Sequence, residues 1–97
     1  MRKMLLLAPA LLVACSTAPA QIPVHGVTPG HKCATAGTDR FIGQLGTSAT
    51  GAAIMRVSHA AVLRWAPPGY MLTMDFREDR VTVHLGPDHR VTEIKCG

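Results

Sequence analysis

Aromatic residues are scarce in this chain of 97 residues, which contains one Trp, one Tyr and two Phe. Such a small set cannot supply the stacking surfaces on which proteins bind single-stranded nucleic acid. Charged residues make up only 16% of the chain, and the net charge of +4 falls by two without Arg2 and Lys3 of the N-terminal segment. This weak, evenly spread charge excludes a basic nucleic-acid-binding surface, so we expect no nucleic-acid partner.

Metal-binding and catalytic motifs are also missing. The sequence has no CxxC pair and no HxH or HExxH spacing, the arrangements that commonly supply metal ligands. Its five histidines are predicted to be surface residues: His25, His31, His59, His84 and His89. No Ser-His-acid arrangement is indicated either. We therefore predict no metal, no cofactor and no enzymatic activity.

The N-terminal stretch MRKMLLLAPALLVAC places two basic residues before an apolar run. This order is typical of a secretory signal peptide, and the run is too short for a permanent transmembrane helix. A buried N-terminal helix is the alternative, but Pro9 lies within the run and disfavours it. We predict an exported protein with a signal peptide over residues 1–14.

Two processing routes remain open after this segment. Leu12-Val13-Ala14-Cys15 resembles the lipobox of bacterial lipoproteins, which implies a lipid on Cys15 that anchors the chain in the envelope membrane. No acidic retention signal follows Cys15, so the expected place is the outer membrane, facing the periplasm. Ala18-Pro19-Ala20 fits an ordinary signal peptidase instead, and cleavage after Ala20 would release a soluble periplasmic or secreted protein. Residues 15–32, rich in Pro, Gly, Ala and Thr, are predicted to be a lipidated N-terminus and flexible tether.

Three cysteines are an awkward number for an exported chain. If Cys15 is lipidated or removed, Cys33 and Cys96 remain at the two ends of residues 33–97, in an oxidising compartment where disulfides persist. A Cys33–Cys96 disulfide would close a loop of roughly 60 residues and stabilise the fold by about 4 kcal/mol. The alternatives are two free thiols or a metal-binding pair, and no CxxC spacing supports the metal.

Residues 33–97 are long enough for one small domain. Thr47 or Ser48 can cap a helix that continues over residues 49–60. Regular alternation of apolar and polar residues predicts strands over residues 61–66, 79–85 and 91–96. The order helix, strand, long loop, strand, turn, strand indicates an α+β domain, in which one helix packs on a short mixed β-sheet.

The long loop, residues 69–78, is the candidate functional segment. Apolar residues on a loop often mark an interaction site, and here they are Tyr70, Met71, Leu72 and Met74. The alternative is that these side chains belong to the core.

Polar residues follow the apolar part of the loop. The guanidinium groups of Arg77 and Arg80 suit the hydroxyl of Thr73 and the carboxylate of Asp75, so they could support the loop from beneath. Residues 77–80 could instead form a solvated charged face with weak ion pairs.

Thr73-Met74-Asp75-Phe76-Arg77, followed by Asp79-Arg80-Val81 and Val83, resembles the reactive loop and following strand of potato type I serine-protease inhibitors, the eglin group. The whole of residues 33–97 is more similar to peptidase inhibitor family seventy-eight, the fungal elastase inhibitor type. That family pairs an early Cys with a terminal Cys-Gly, here Cys33 and Cys96-Gly97, and has an aliphatic-Gly-Gln segment, here Ile42-Gly43-Gln44.

The resemblance implies a monomeric serine-protease inhibitor with the potato type I inhibitor-like fold, whose loop 69–78 enters the protease active site as a substrate does. Met74–Asp75 would be the reactive bond, with Met74 in a chymotrypsin-, elastase- or subtilisin-like specificity pocket. Arg77 and Arg80 would support the loop. Further contacts with the protease would come from Tyr70, Met71, Leu72, Thr73 and Phe76. The alternative function is a non-enzymatic envelope lipoprotein that uses the same fold to bind another protein or the cell wall.

One position departs from the potato inhibitor pattern. Those inhibitors usually carry a second supporting arginine two positions beyond the first, and this chain has Thr82 there. A threonine side chain is too short to reach the loop as an arginine does. We therefore expect weaker inhibition, or a loop that is cut more readily, than the pattern of the potato inhibitors implies.

Overall fold

One helix and three strands form the scaffold of residues 25–97, the part of the chain that the computed structural model describes. Within this part, no helix is both long and apolar enough to span a membrane. The predicted signal peptide over residues 1–14, the lipidation site Cys15 and the cleavage site at Ala20 lie outside the described residues.

The helix, α1, spans Ser48–Ser58. It begins at Thr47, whose side-chain oxygen accepts a hydrogen bond of 3.2 Å from the backbone N–H of Thr50, as an N-cap residue does. It ends because His59 adopts a left-handed backbone conformation, with φ of 64°. The predicted helix is therefore confirmed, and it stops two residues earlier than predicted.

Three strands form one mixed sheet in the order β1-β2-β3. Their bounds are Val62–Ala66 for β1, Arg80–Leu85 for β2 and Val91–Cys96 for β3. β1 pairs with β2 in parallel and β2 pairs with β3 antiparallel, so the predicted α+β class with a mixed sheet is confirmed.

The parallel pairing explains why a long loop separates β1 from β2. A strand of six residues spans roughly 20 Å, and the chain must travel that distance back before it can start a parallel neighbour. In most proteins a helix makes this crossover, but here residues 67–79 do so without helix or strand. Because β1 and β2 are parallel, the loop must run back along the length of the sheet.

The core lies between α1 and one face of the sheet. Trp65 of β1 packs closely on Gly51 of α1, where an added Cβ would lie 2.8 Å from the indole ring. This close approach explains a glycine in the middle of a helix, where it lowers helix propensity. The remaining core residues include Phe41, Ile54, Ala60, Val81, Val83, Leu85 and Val91.

The second face of β2 is buried as well, which the alternating pattern did not predict. Arg80 and Thr82 lie on this face, and they are 7% and 3% exposed. Polar side chains are buried at low cost only when their hydrogen-bonding groups have partners, and those partners come from the loop, from β1 and from Gly97.

The predicted disulfide is confirmed. Cys33 and Cys96 are bonded, with their Cα atoms 5.6 Å apart and a sequence separation of 63. The backbone N–H of Cys33 donates a 2.8 Å hydrogen bond to the carbonyl of Glu78, at the end of the loop. The disulfide therefore joins the last strand to the segment that meets the base of the loop.

The last part of the predicted tether lies against the domain. The hydroxyl of Thr28 donates to Oδ2 of Asp79 over 2.6 Å, and the carbonyl of Gly26 accepts from the backbone N–H of Asp79 over 3.1 Å. Residues 15–24 of the predicted tether lie outside the described part of the chain.

Candidate functional site

The loop over residues 69–78 presents its apolar side chains to solvent. Met74 is 98% exposed and Met71 is 85% exposed. Tyr70, Leu72 and Phe76 are also exposed. The alternative that these side chains belong to the core is therefore wrong, and the loop has the exposed apolar surface that marks an interaction site.

The charged residues after the loop do not form a solvated face either. The side chain of Asp79 is fully buried and Arg80 is nearly so. Each of these two residues has a partner of opposite charge, Arg77 for Asp79 and Asp75 for Arg80. The alternative of a solvated charged face over residues 77–80 is thus wrong for Asp79 and Arg80.

Arg80 contacts the loop on the C-terminal side of Met74, at Asp75, but none of its hydrogen bonds reaches Thr73. It rises from the start of β2, and its Nη2 donates to the backbone carbonyl of Asp75 over 2.6 Å. Its Nη1 donates to Oδ2 of the same residue over 3.4 Å. One guanidinium thereby holds both the main chain and the side chain of Asp75, because its donors form a rigid planar fork.

Thr73 and Asp75 are also joined to each other, across Met74. The hydroxyl of Thr73 donates to Oδ1 of Asp75. This hydrogen bond, followed by one from the backbone N–H of Asp75, holds the pKa of the Asp75 carboxyl below its ordinary value, and Arg80 acts in the same direction. Asp75 therefore remains a charged acceptor at neutral pH.

Thr73 is held from beneath by Arg64, a residue that the sequence reasoning missed. Nη1 of Arg64 donates to the hydroxyl of Thr73 over 3.1 Å. Arg64 lies between Leu63 and Trp65, whose side chains are both near Gly51 of α1. Alternation along β1 therefore directs Arg64 to the opposite, loop-facing side of the sheet. That signal was present in the sequence, but only the pairing of β1 with β2 brings Arg64 under the loop.

Arg77 does not support the tip of the loop, contrary to the prediction. Its Nε and Nη2 donate to the two carboxylate oxygens of Asp79 over 3.0 and 3.1 Å, and none of its hydrogen bonds reaches Thr73 or Asp75. The physical reason is the nearer partner, since Asp79 presents both oxygens in the bidentate geometry that arginine prefers.

The Arg77–Asp79 pair stabilises the base of the loop. The hydrogen bond from Arg77, followed by the one from Thr28, lowers the pKa of the buried Asp79 carboxyl from its ordinary 3.8 to about 2. The backbone carbonyl of Asp79 also accepts from Ala61 and Val62 at the start of β1. Asp79 therefore joins the end of the loop to both the N-terminal segment and the sheet.

One oxygen atom of Gly97 is a shared hydrogen-bond acceptor for the side chains beneath the loop. This carbonyl oxygen accepts hydrogen bonds from Thr82 at 2.9 Å, Arg80 at 3.2 Å and Arg64 at 3.4 Å. Residue 97 has φ of 117°, and an added Cβ would lie 2.9 Å from the ring of Phe76. A glycine is therefore required here, both for its backbone conformation and for the close approach of the loop.

Thr82 is part of this network although neither of its side-chain hydrogen bonds goes to the loop. Its hydroxyl accepts from Nε of Arg64 over 3.2 Å while it donates to the oxygen of Gly97. The position that lacks an arginine thus binds an arginine from the neighbouring strand.

The histidines contact backbone carbonyls in two cases, His31 with His59 and His89 with Gly46. Among residues 25–97, no group of three or more His, Cys, Asp or Glu side chains is placed to hold a metal ion.

Comparison with known proteins gives two findings. The family model of the peptidase inhibitor I78 family matches residues 33–97, which include all of α1, the sheet, the loop and both disulfide cysteines. Among solved structures, that of the elastase inhibitor AFUEI (crystal form II) is similar, with a TM-score of 0.49 and 22% sequence identity over 61% of this chain and 81% of that chain. No curated protein matches the sequence.

Proposed function

This chain belongs to the peptidase inhibitor I78 family, and from that premise we propose that it inhibits a serine protease by presenting residues 69–78 to the active site as a substrate-like loop. Membership of the family makes the protein a peptidase inhibitor rather than an enzyme, and it makes a protease its partner. The class of protease, the loop and the reactive bond are the parts that we propose.

The observation that carries the proposal is the position of Met74. Its side chain is 98% exposed, yet the residues on both sides of it are held from beneath, Thr73 by Arg64 and Asp75 by Arg80. A loop ordered in this way loses little further conformational entropy when a protease binds it. This combination of an exposed side chain and a fixed backbone suits a residue that enters a pocket.

Met74 sets the proposed class of target. A long, unbranched and uncharged side chain fits the apolar specificity pockets of chymotrypsin-, elastase- and subtilisin-like enzymes. A trypsin-like pocket contains a buried carboxylate, which Met74 would leave without a charged partner at a large desolvation cost. Met71, Leu72 and Phe76 are exposed in the same loop and would contact the protease on either side of the pocket.

The supports also explain how the loop could resist cleavage. Attack of the catalytic serine on the Met74 carbonyl would form an acyl-enzyme and release the amine of Asp75 as the leaving group. Arg80 holds Asp75 through its backbone carbonyl and its carboxylate, so the amine would stay beside the acyl group. Nearby, oriented groups react far faster than free ones, and the peptide bond would re-form.

Export of the protein is part of the proposal. A disulfide joins Cys33 to Cys96, and such bonds persist in oxidising compartments. We propose a lipid anchor on Cys15, with cleavage after Ala20 as the alternative, and a monomeric domain over residues 33–97. Mass spectrometry of the mature N-terminus distinguishes the two routes, because an unmodified N-terminus at Gln21 excludes the lipid anchor.

A panel of proteases tests the inhibitory function. The purified, disulfide-bonded chain is titrated against subtilisin, chymotrypsin, elastase and trypsin, and we expect inhibition of one or more of the first three. Absence of inhibition at micromolar concentration by a folded sample would contradict the proposal and favour a binding module for another envelope partner.

The Met74→Lys variant tests which residue fills the pocket. Lysine supplies the charge that a trypsin-like pocket requires, so the variant should gain trypsin inhibition at least tenfold relative to the wild type. Met71→Lys is the matched control, since Met71 is similarly exposed in the same loop, and it should not gain trypsin inhibition. The same profile for both variants would mean that Met74 is not the pocket residue.

A further inference from the structure

Arg64 lies on β1, outside the loop and outside the strand that follows it. We infer that Arg64 is the second positioning residue of the reactive loop, supplying from the neighbouring strand the guanidinium that position 82 lacks. Its role is to keep the loop bound and uncut rather than cleaved. This inference rests on the proposed inhibitory function and extends it to a residue that loop chemistry alone does not reveal.

The register of the sheet places Arg64 where the missing arginine would be. In the parallel pairing of β1 with β2, Arg64 and Thr82 are direct Cα partners. Neighbouring strands lie about 4.8 Å apart, so a long side chain that starts on β1 reaches the same space as one that starts on β2. A guanidinium group is therefore present beneath the loop, but it comes from β1 instead of from position 82 on β2.

The three donor nitrogens of Arg64 have three different acceptors. Nε donates to the hydroxyl of Thr82, Nη1 to the hydroxyl of Thr73, and Nη2 to the oxygen of Gly97. These acceptors belong to β2, to the loop and to the end of the chain described here. Since a guanidinium is planar and its donors diverge in a fixed fork, contact with all three fixes their relative positions.

Arg64 and Arg80 hold opposite sides of the proposed reactive bond. Arg64 holds Thr73, before the proposed reactive bond, and Arg80 holds Asp75, after it. Both share the oxygen of Gly97 as an acceptor. Loss of Arg64 would therefore release the side of the loop that carries the acyl group, while Arg80 still held the leaving side. Re-formation of the bond requires both sides to stay in place.

Thr82 is then a functional partner of Arg64. Its short side chain leaves room for the guanidinium, and its hydroxyl accepts from Arg64 while it donates to Gly97. The expectation that Thr82 weakens the inhibitor took account of β2 only. With Arg64 included, the loop has two guanidinium supports.

The test compares four variants with the wild type: Arg64→Ala, Arg64→Gln, the exchange Arg64→Thr with Thr82→Arg, and the control Arg90→Ala. Arg90 is a matched control because it is also an arginine that donates to a backbone carbonyl, that of Gly43. The full mature chain is mixed with a protease that the wild type inhibits. Cleavage at Met74–Asp75 is followed by mass spectrometry, beside the inhibition constant and the melting temperature.

We expect Arg64→Ala and Arg64→Gln to be cleaved at least about tenfold faster than the wild type, because each loses a hydrogen bond of a charged donor to the loop. Their inhibition constants should weaken by a similar factor. Arg90→Ala should behave as the wild type. The exchange variant should recover most of the resistance to cleavage, since it returns a guanidinium to the same space from β2.

A structural role alone would give a different pattern. If folded Arg64→Gln is cleaved as slowly as Arg90→Ala, or if the folded exchange variant gains no protection over Arg64→Ala, the inference is overturned. Arg64→Gln decides the matter if Arg64→Ala fails to fold, because glutamine retains a polar side chain with one donor group. A wild type that inhibits no protease would instead contradict the proposed function itself, which the same assay reports separately.

Discussion

Replacement of both disulfide cysteines by serine should remove a large share of the stability of the domain. The bond joins residues 63 positions apart, and the chain entropy of an open loop of that length corresponds to about 4 kcal/mol at 25 °C. A domain of residues 33–97 is expected to have a total free energy of unfolding of roughly 3–10 kcal/mol. We therefore predict a loss of at least about 40% of the free energy of unfolding, and a drop in melting temperature of roughly 15–30 °C where the domain still folds.

The loop should lose its support before the domain unfolds. Cys96 precedes Gly97, whose oxygen accepts from Arg64, Arg80 and Thr82. Cys33 donates its backbone N–H to Glu78 at the loop's end. Without the covalent bond, the end of β3 can fray and the shared acceptor can move away from both arginines. Inhibition should fall by more than the unfolded fraction of the sample accounts for.

Urea unfolding followed by circular dichroism measures the first effect, and protease inhibition at a temperature where the variant remains folded measures the second. Reduced wild type is the matched control, because it lacks the bond but keeps the cysteine side chains, and it should behave as the double variant does. A stability loss below about 1 kcal/mol, with an unchanged denaturant slope, would refute the chain-entropy reasoning.

Two further predictions concern single groups. Asp79 has a folded-state pKa of about 2 against an ordinary 3.8, so its contribution to stability is present above pH 3.8 and is lost as the pH falls towards 2. The difference in stability between the wild type and Asp79→Asn, measured by thermal unfolding, should therefore shrink over that pH range. A difference that stays constant would contradict this prediction. Mild peroxide oxidation should convert the exposed Met74 thioether to a polar sulfoxide and weaken inhibition at least tenfold. The Met74→Leu variant, treated in the same way, should retain its inhibition. Full inhibition by the oxidised wild type would argue against an apolar pocket for this residue.

The elements of the fold could be predicted because their signals are local. Thr47 caps α1 through its own side chain, and the alternation of Val81 and Val83 marks the core face of β2. The cysteine pair followed from the count of thiols in a chain predicted to be exported, and it is bonded as expected. Each of these features depends on neighbours in sequence or on a short periodic pattern, which a single chain displays directly.

The network of supports could be predicted only in part. The contact of Arg80 with Asp75 spans five residues, and the motif predicted it. Arg77 was predicted to act in the same way, but it pairs with Asp79, two residues away. Sequence proximity made both partners available to Arg77, and only the fold determined which of them lay within reach.

The sequence by itself determined that residues 33–97 form an inhibitor-type domain, with one helix, a mixed sheet, a disulfide and an exposed loop around Met74. The tertiary structure alone decided that Arg64 also holds that loop. The parallel pairing of β1 with β2 sets Arg64 beside Thr82, and the disulfide places Gly97 where two arginines can share its oxygen. These contacts join residues 17 to 33 positions apart, and their physical cause is strand register, a non-local property that a local pattern does not specify.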